Sequence, residues 1–248
     1  MPLFKRRDRS GGDIELYYEE HGQGFPILLI APGGMRSDVP FWKRCPWSPI
    51  EQLAPRYRVI VMDQRNAGRS RAPIRATDGW ADYTADQLAL LDHLGVGRFH
   101  AGGMCIGGSF TMALVKAAPG RVASAVLFQT IGVEKSGANR RVFTAMFDDW
   151  AKELKPRRPE VKDVDWASFR QNMYGGDFLF TVSREFTAAC RTPLLVLAGD
   201  DEYHPMETSR DVAALAPNAR FIEKWKEPRY NAAAKAELEQ FLADHTPV

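Results

Sequence analysis

The sequence predicts an α/β fold: a mostly parallel central sheet with helices on both faces. Two observations predict it. Short β-rich apolar runs recur along the chain, and stretches carrying apolar residues at helical spacing separate them. A third is compositional: 248 residues, 45% hydrophobic and 26% charged, suit a soluble globular chain and favour one large domain or one with an inserted lid.

Residues 14–20 alternate as an early strand. Residues 27–31 and 59–62 are continuous apolar runs, as strands buried on both faces require. The series continues at 99–101, 125–128, 194–198 and 220–223. Helical spacing covers 83–94, 106–118, 207–215 and 232–242. From 134 to 190 the alternation stops. That stretch holds helical patterns, charged patches and scattered aromatic residues, including Trp150, Trp166 and Tyr174. Its simplest reading is a helical cap, 134–190, over a core made of 1–133 and 191–248.

Thirty-three Lys and Arg against 31 Asp and Glu leave a formal charge of +2, so no net field recommends nucleic acid or a membrane as partner. The longest apolar runs fall far short of the roughly 20 residues that span a bilayer. Basic residues near Met1 are not followed by an apolar stretch, so no secretory signal is expected. Three cysteines without metal-ligand spacing argue against a disulfide framework or a metal site. A cytoplasmic protein acting on a small molecule without a cofactor is expected, with a homodimer left open.

Open α/β sheets place their chemistry at the carboxyl ends of strands. After the strand at 99–101 comes Gly103-Met104-Cys105-Ile106-Gly107, the spacing of a nucleophile elbow with cysteine in the serine place. A helix starting there lowers a thiol pKa and favours thiolate. After the strand at 27–31, Pro32-Gly33-Gly34-Met35 lets backbone N–H groups approach a reacting carbonyl. The expected oxyanion donors are the N–H groups of Gly34 and Ile106. A plain glycine turn and a small buried cysteine are the bland alternatives.

After the third strand, Asp63-Gln64-Arg65-Asn66-Ala67-Gly68-Arg69-Ser70 resembles the D-x-R-G-x-G-x-S segment of the α/β-hydrolase fold, with Asn66 in place of the first glycine. Asn tolerates left-handed backbone better than most residues, so the departure is mild. The resemblance runs from about residue 14 to 242. It implies acyl-transfer chemistry, usually cofactor-free hydrolysis, at a nucleophile–histidine–acid triad. A cysteine at the elbow is similar to the nucleophile of the dienelactone hydrolases.

The family places its acid after the strand at 194–198, commonly as Asp-x-x-x-Pro. Asp201-Glu202-Tyr203-His204-Pro205 fits, so Asp201 is the first candidate, then Glu202 and Asp200. The family's histidine follows the last strand, where this chain reads Lys224-Trp225-Lys226-Glu227-Pro228 and has none. Of the five histidines, His21 falls in an early turn, His93 in a helix, His100 in a strand and His245 in a frayed tail; all four read as structural. His204 shares the acid loop and is the candidate general base. Softer candidates for substrate contact are Arg36, Arg65, Trp42, Trp47 and Tyr174. The implied activity is hydrolysis of an ester, lactone or thioester through a Cys105 acyl-enzyme. The alternatives are a carbon–carbon hydrolase, lyase or acyltransferase at the same site, or a ligand-binding protein on a hydrolase scaffold.

Overall fold

The computed structural model describes residues 2–8 and 10–247. Among them, one sheet contains β1 (Leu3–Arg7), β2 (Asp13–His21), β3 (Phe25–Ile30), β4 (Tyr57–Met62), β5 (Phe99–Met104), β6 (Val122–Phe128), β7 (Leu194–Leu197) and β8 (Ala219–Ile222). The spatial order is β1-β2-β4-β3-β5-β6-β7-β8. β1 and β2 pair antiparallel, β2 runs antiparallel to β4, and every later pairing is parallel. Registers such as Leu28 opposite Ile60 and Leu127 opposite Val196 keep apolar residues level across the sheet.

The helices are α1 (Pro49–Leu53), α2 (Trp80–His93), α3 (Ile106–Ala117), α4 (Arg140–Leu154), α5 (Asp163–Tyr174), α6 (Arg184–Ala189), α7 (Met206–Leu215) and α8 (Pro228–His245). α2 and α3 pack together, α3 lying on β3, β5 and β6. α1 and α8 meet through Gln52 and Glu239. Sandwiching by helices explains why β3, β5, β6 and β7 read as unbroken apolar runs: their residues are almost all buried.

β1 is not anticipated from the sequence, because Lys5, Arg6 and Arg7 make it read as a charged tail. As an edge strand it tolerates them: Lys5 pairs with Glu15 at 2.5 Å and Arg7 with Asp13 at 3.4 Å on β2. His245 corrects the expected frayed tail. It ends α8, and its Nδ1 lies 2.7 Å from the Phe241 carbonyl.

Between β6 and β7, helices α4 and α5 share an aromatic core of Phe143, Phe147, Trp150, Trp166, Phe169 and Tyr174, and α6 packs against α7. α4 rests on the turn Gly34–Arg36 that follows β3. No helix of the described residues is long and apolar enough to cross a membrane. The chain leaves β3 for β4 on one side and returns to β5 on the other. The exits of β3 and β5 therefore border the crevice where an open α/β sheet holds its ligands.

Candidate active site

Cys105 sits at that crevice, between β5 and α3, with φ 59° and ψ −121°. A non-glycine residue in this region costs on the order of 1–3 kcal/mol and persists only where its surroundings enforce it. Here the Cys105 N–H donates to the Phe128 carbonyl at 3.0 Å, and its carbonyl accepts from the N–H groups of Gly108 and Ile131, each at 3.1 Å. Two close approaches explain the spacing of the elbow. A Cβ on Gly103 would fall onto the backbone of Gly107, and one on Gly107 onto the carbonyl of Ile30. Glycine at both positions lets β5 turn into α3 within one residue of the thiol.

The exit of β7 supplies the second group. Asp201 and His204 exchange backbone hydrogen bonds, at 3.1 and 3.3 Å, across a four-residue turn. Asp201 Oδ1 accepts from the N–H groups of Tyr203 and His204, both at 2.9 Å. His204 Nδ1 lies within 2.8–2.9 Å of both carboxylate oxygens. The acid thus fixes the turn and the imidazole together. Its carboxyl is held down to about 2: burial would raise it, but the hydrogen bond and charge of His204 dominate. Gly199 permits the fold-back, because a Cβ there would press on the His204 carbonyl and stand 2.5 Å from the His204 Cβ.

With Nδ1 engaged, His204 Nε2 is buried and hydrogen-bonds to no protein group. It is directed at the Cys105 thiol, the group whose charge acts on the imidazole most strongly after burial. Burial pushes the imidazole down, but the Cys105 charge and Asp201 push it up to about 9. Burial likewise pushes the thiol up, and the His204 charge with the N–H groups of Gly33 and Ile106 brings it below the ordinary range. Both shifts run toward a thiolate–imidazolium pair, in a site where Cys105 is 9% and His204 8% exposed.

Of the two adjacent glycines, it is Gly33 rather than the expected Gly34 whose N–H lies beside the Cys105 sulfur. The N–H groups directed at the sulfur are those of Gly33 and Ile106. Gly34 already belongs to the next turn, and its α-carbon faces the side chain of Met146 on α4. The sequence holds the signal, since Gly33 is the first residue past Pro32, but two adjacent glycines left the register open.

Tyr174 comes to the site: it is buried, its hydroxyl has no partner, and burial and the Cys105 charge push the phenol above its usual range. Arg36 does not, because its guanidinium holds Glu153 on α4 through two hydrogen bonds, at 2.6 and 3.0 Å. Trp42 is packing, its indole edge-on to Phe128, and Trp47 stacks edge-on to Phe128 and Trp225. Arg65 is buried against Asp86, at 2.8 and 3.1 Å. Asp200 and Glu202 turn away, toward Lys226 and Arg141.

The position after β8, where the resemblance implied a histidine, is filled by Trp225. It is 1% exposed and donates its Nε1–H to the Ala198 carbonyl at 2.8 Å. His100, mid-strand, is buried between Ser124 and Thr246, and burial followed by the nearby His245 pushes it down to about 3. Among the described residues, no group of three or more His, Cys, Asp or Glu could hold a metal ion.

Known proteins share this architecture. Over 114 residues the chain is 43% identical to RutD of Azorhizobium caulinodans, a protein named as a carbamate hydrolase; the match covers 46% of this chain and 40% of that one. The chain therefore spans about two fifths of the length of that relative. The crystal structure of an enol-lactonase from Burkholderia xenovorans LB400 superposes with TM-score 0.67 at 22% identity, covering 93% of this chain and 97% of the other. A thermophilic esterase from Thermogutta terrifontis gives 0.68 at 22% identity, covering 99% and 100%. At such identities the two structures speak for the fold alone. The elbow at the β5 exit, the acid turn at the β7 exit and the strand order agree with a family pattern that matches residues 26–160, and the chain belongs to the alpha/beta hydrolase fold family.

Proposed function

We propose that the protein is a hydrolase of an ester, lactone or thioester bond, working through a Cys105 acyl-enzyme without a cofactor. The observation that carries this reading is the Cys105–His204–Asp201 arrangement, in which the one unpartnered imidazole nitrogen faces the thiol. The Cys105 thiolate attacks the carbonyl carbon, and the N–H groups of Gly33 and Ile106 receive the negative oxygen. Collapse expels the leaving group, which takes the Nε2 proton of His204, and leaves a thioester on Cys105. Neutral His204 then accepts a proton from water as the water attacks the thioester. The second collapse releases the acid and returns thiolate and imidazolium. Asp201 keeps the imidazole in one tautomer and supports its charge. The helical segment 134–190 acts as a cap, with the free hydroxyl of Tyr174 available to a polar group of the substrate. The same attack would open a carbamate carbonyl, the bond class in the name of the Azorhizobium relative.

Intact-mass analysis after mixing with p-nitrophenyl acetate, followed by peptide mapping, tests the reading. An acetyl group on the Cys105 peptide, absent in Cys105→Ala, is expected, with a panel of esters, lactones, thioesters and carbamates to follow. No adduct and no p-nitrophenol release would overturn it in favour of a ligand-binding role.

A further inference from the structure

A second cavity, of about 580 Å³, lies at the seam between the C-terminal end of α4 and the loop after β4. That volume is in the range of small-molecule sites. None of Cys105, His204, Asp201 or Gly33 lines it. Four arginines do: Arg36 and Arg71 from the sheet side, Arg157 and Arg158 from the end of α4.

We propose that this cleft binds a small organic dianion, a phosphate monoester or a dicarboxylate. Two of the arginines are positioned by hydrogen bonds to neutral acceptors, Arg158 with Glu160 3.7 Å away on its outer side. Arg71 donates to the carbonyls of Gly68 and Ser70, at 2.9 and 2.7 Å. Arg158 donates to Asn66 Oδ1 at 2.8 Å and to the Ala72 carbonyl at 3.0 Å. Arg157 is exposed, and its guanidinium makes no ion pair or hydrogen bond among the described residues. The two lining carboxylates do not cancel the set. Against the four arginines stand only Glu153, committed to Arg36, and Asp38, so the lining keeps a formal charge of +2.

Asn66 is the second observation. It is 6% exposed, lines the cavity, and its Oδ1 accepts from the Ala72 N–H and from Arg158, while its Nδ2 is a buried donor without a partner. This is also the position where the chain departs from the glycine of the family segment. Asn66 Oδ1 thereby fixes the Arg158 guanidinium at the wall of the cleft. Forked guanidiniums match the oxygens of a phosphate or of two carboxylates. Phe41, Trp150 and Leu154 supply an apolar wall for the organic body.

Thermal shift and calorimetric titration of the full chain with phosphate, succinate and chloride, at matched ionic strength, test the proposal. A saturable rise in Tm with phosphate or succinate but not chloride is expected, and the one that binds identifies the head-group chemistry. Arg157→Gln, at an exposed side chain, and Asn66→Asp, which keeps Oδ1 but turns the donor into an acceptor, should each weaken binding about tenfold or more. Acylation by p-nitrophenyl acetate should stay at the wild-type rate in both. An equal shift with chloride would mean charge screening only. That outcome, no saturable binding, or undiminished affinity in both variants would overturn the proposal.

Discussion

Gly199→Ala isolates the placement of His204 from its chemistry. Gly199 is held from two sides: its N–H donates to Ser209 Oγ at 3.0 Å, and the preceding Ala198 N–H donates to the Ile222 carbonyl at 2.9 Å. The part that can yield is therefore the turn holding Asp201 and His204. An added methyl would stand 2.5 Å from the His204 Cβ and closer to its carbonyl oxygen, whereas ordinary contact begins at 3.4 Å. The turn must retreat by about 1 Å, a misplacement that costs about 100-fold in rate when it separates a base from its nucleophile. Overpacking of this kind costs about 1–3 kcal/mol. For a chain of this size that is a Tm loss of about 2–12 °C. Single-turnover release of p-nitrophenol, beside a thermal melt, reads both quantities. The expected result is a folded protein acylated about 100-fold more slowly, with Cys105 still alkylated by iodoacetamide. A folded Gly199→Ala that acylates at the wild-type rate would falsify the assignment of His204 as base.

Three further outcomes follow from charges and burial. At about pH 6.5, Cys105 should alkylate faster in the wild type than in His204→Gln. The gap should narrow as the pH rises past about 9, where His204 loses its proton; a gap that persists unchanged well above that pH contradicts the ion pair. The Asp201 carboxyl, held down to about 2, adds stability that is present above the unfolded value of about 4 and lost as pH falls through about 2. The Tm difference between wild type and Asp201→Asn should shrink accordingly on acidification, and a pH-independent difference would refute that linkage. Arg65→Met leaves the buried Asp86 with Arg6 alone, at 3.0 Å, and should cost about 3–5 kcal/mol in urea unfolding; a loss below about 1 kcal/mol would show that Arg6 compensates.

What was legible in the chain was what depends on local pattern. Buried parallel strands must be apolar throughout, so their runs stand out, and an elbow must have glycines flanking the nucleophile, so Cys105 stands out. β1 was not legible because an edge strand buries little and its Lys5 and Arg7 look like a solvated tail. The two tryptophans, packed away from the thiol, were illegible for a different reason, whereas Tyr174 reaches it. Trp42 and Trp47 carry no mark of which side of the sheet they occupy; only the third dimension sets them against Phe128. Arg36 and Arg65 lie at strand exits, where substrates bind, but their partners Glu153 and Asp86 are 117 and 21 residues away. Gly33 and Gly34 differ by one residue of register, which no spacing rule resolves. The Asp201–His204 contact lay between these cases: the separation of three residues allowed it, and the Asp201 side chain accepting from two backbone N–H groups made it.

Placing acid and base on one turn changes what the site requires of the fold. When the two groups come from the exits of different strands, their contact depends on how β7 and β8 are registered. Here it depends on four consecutive residues and on one glycine, so the exit of β8 is released from that role. Trp225 occupies it and ties back to the Ala198 carbonyl, directly before Gly199. The indole thus braces the base of the turn from the hydrophobic side, against Phe128 and Trp47. Cysteine suits this arrangement better than serine. A short turn gives the imidazole few positions, and a serine needs its base aligned for proton removal at the moment of attack. A thiol already ionised by its neighbours needs no proton removed at the moment of attack, and depends instead on how near its partner's positive charge is held. That is what His204 presents to Cys105: a positive charge, held close to the thiol by the Asp201 turn.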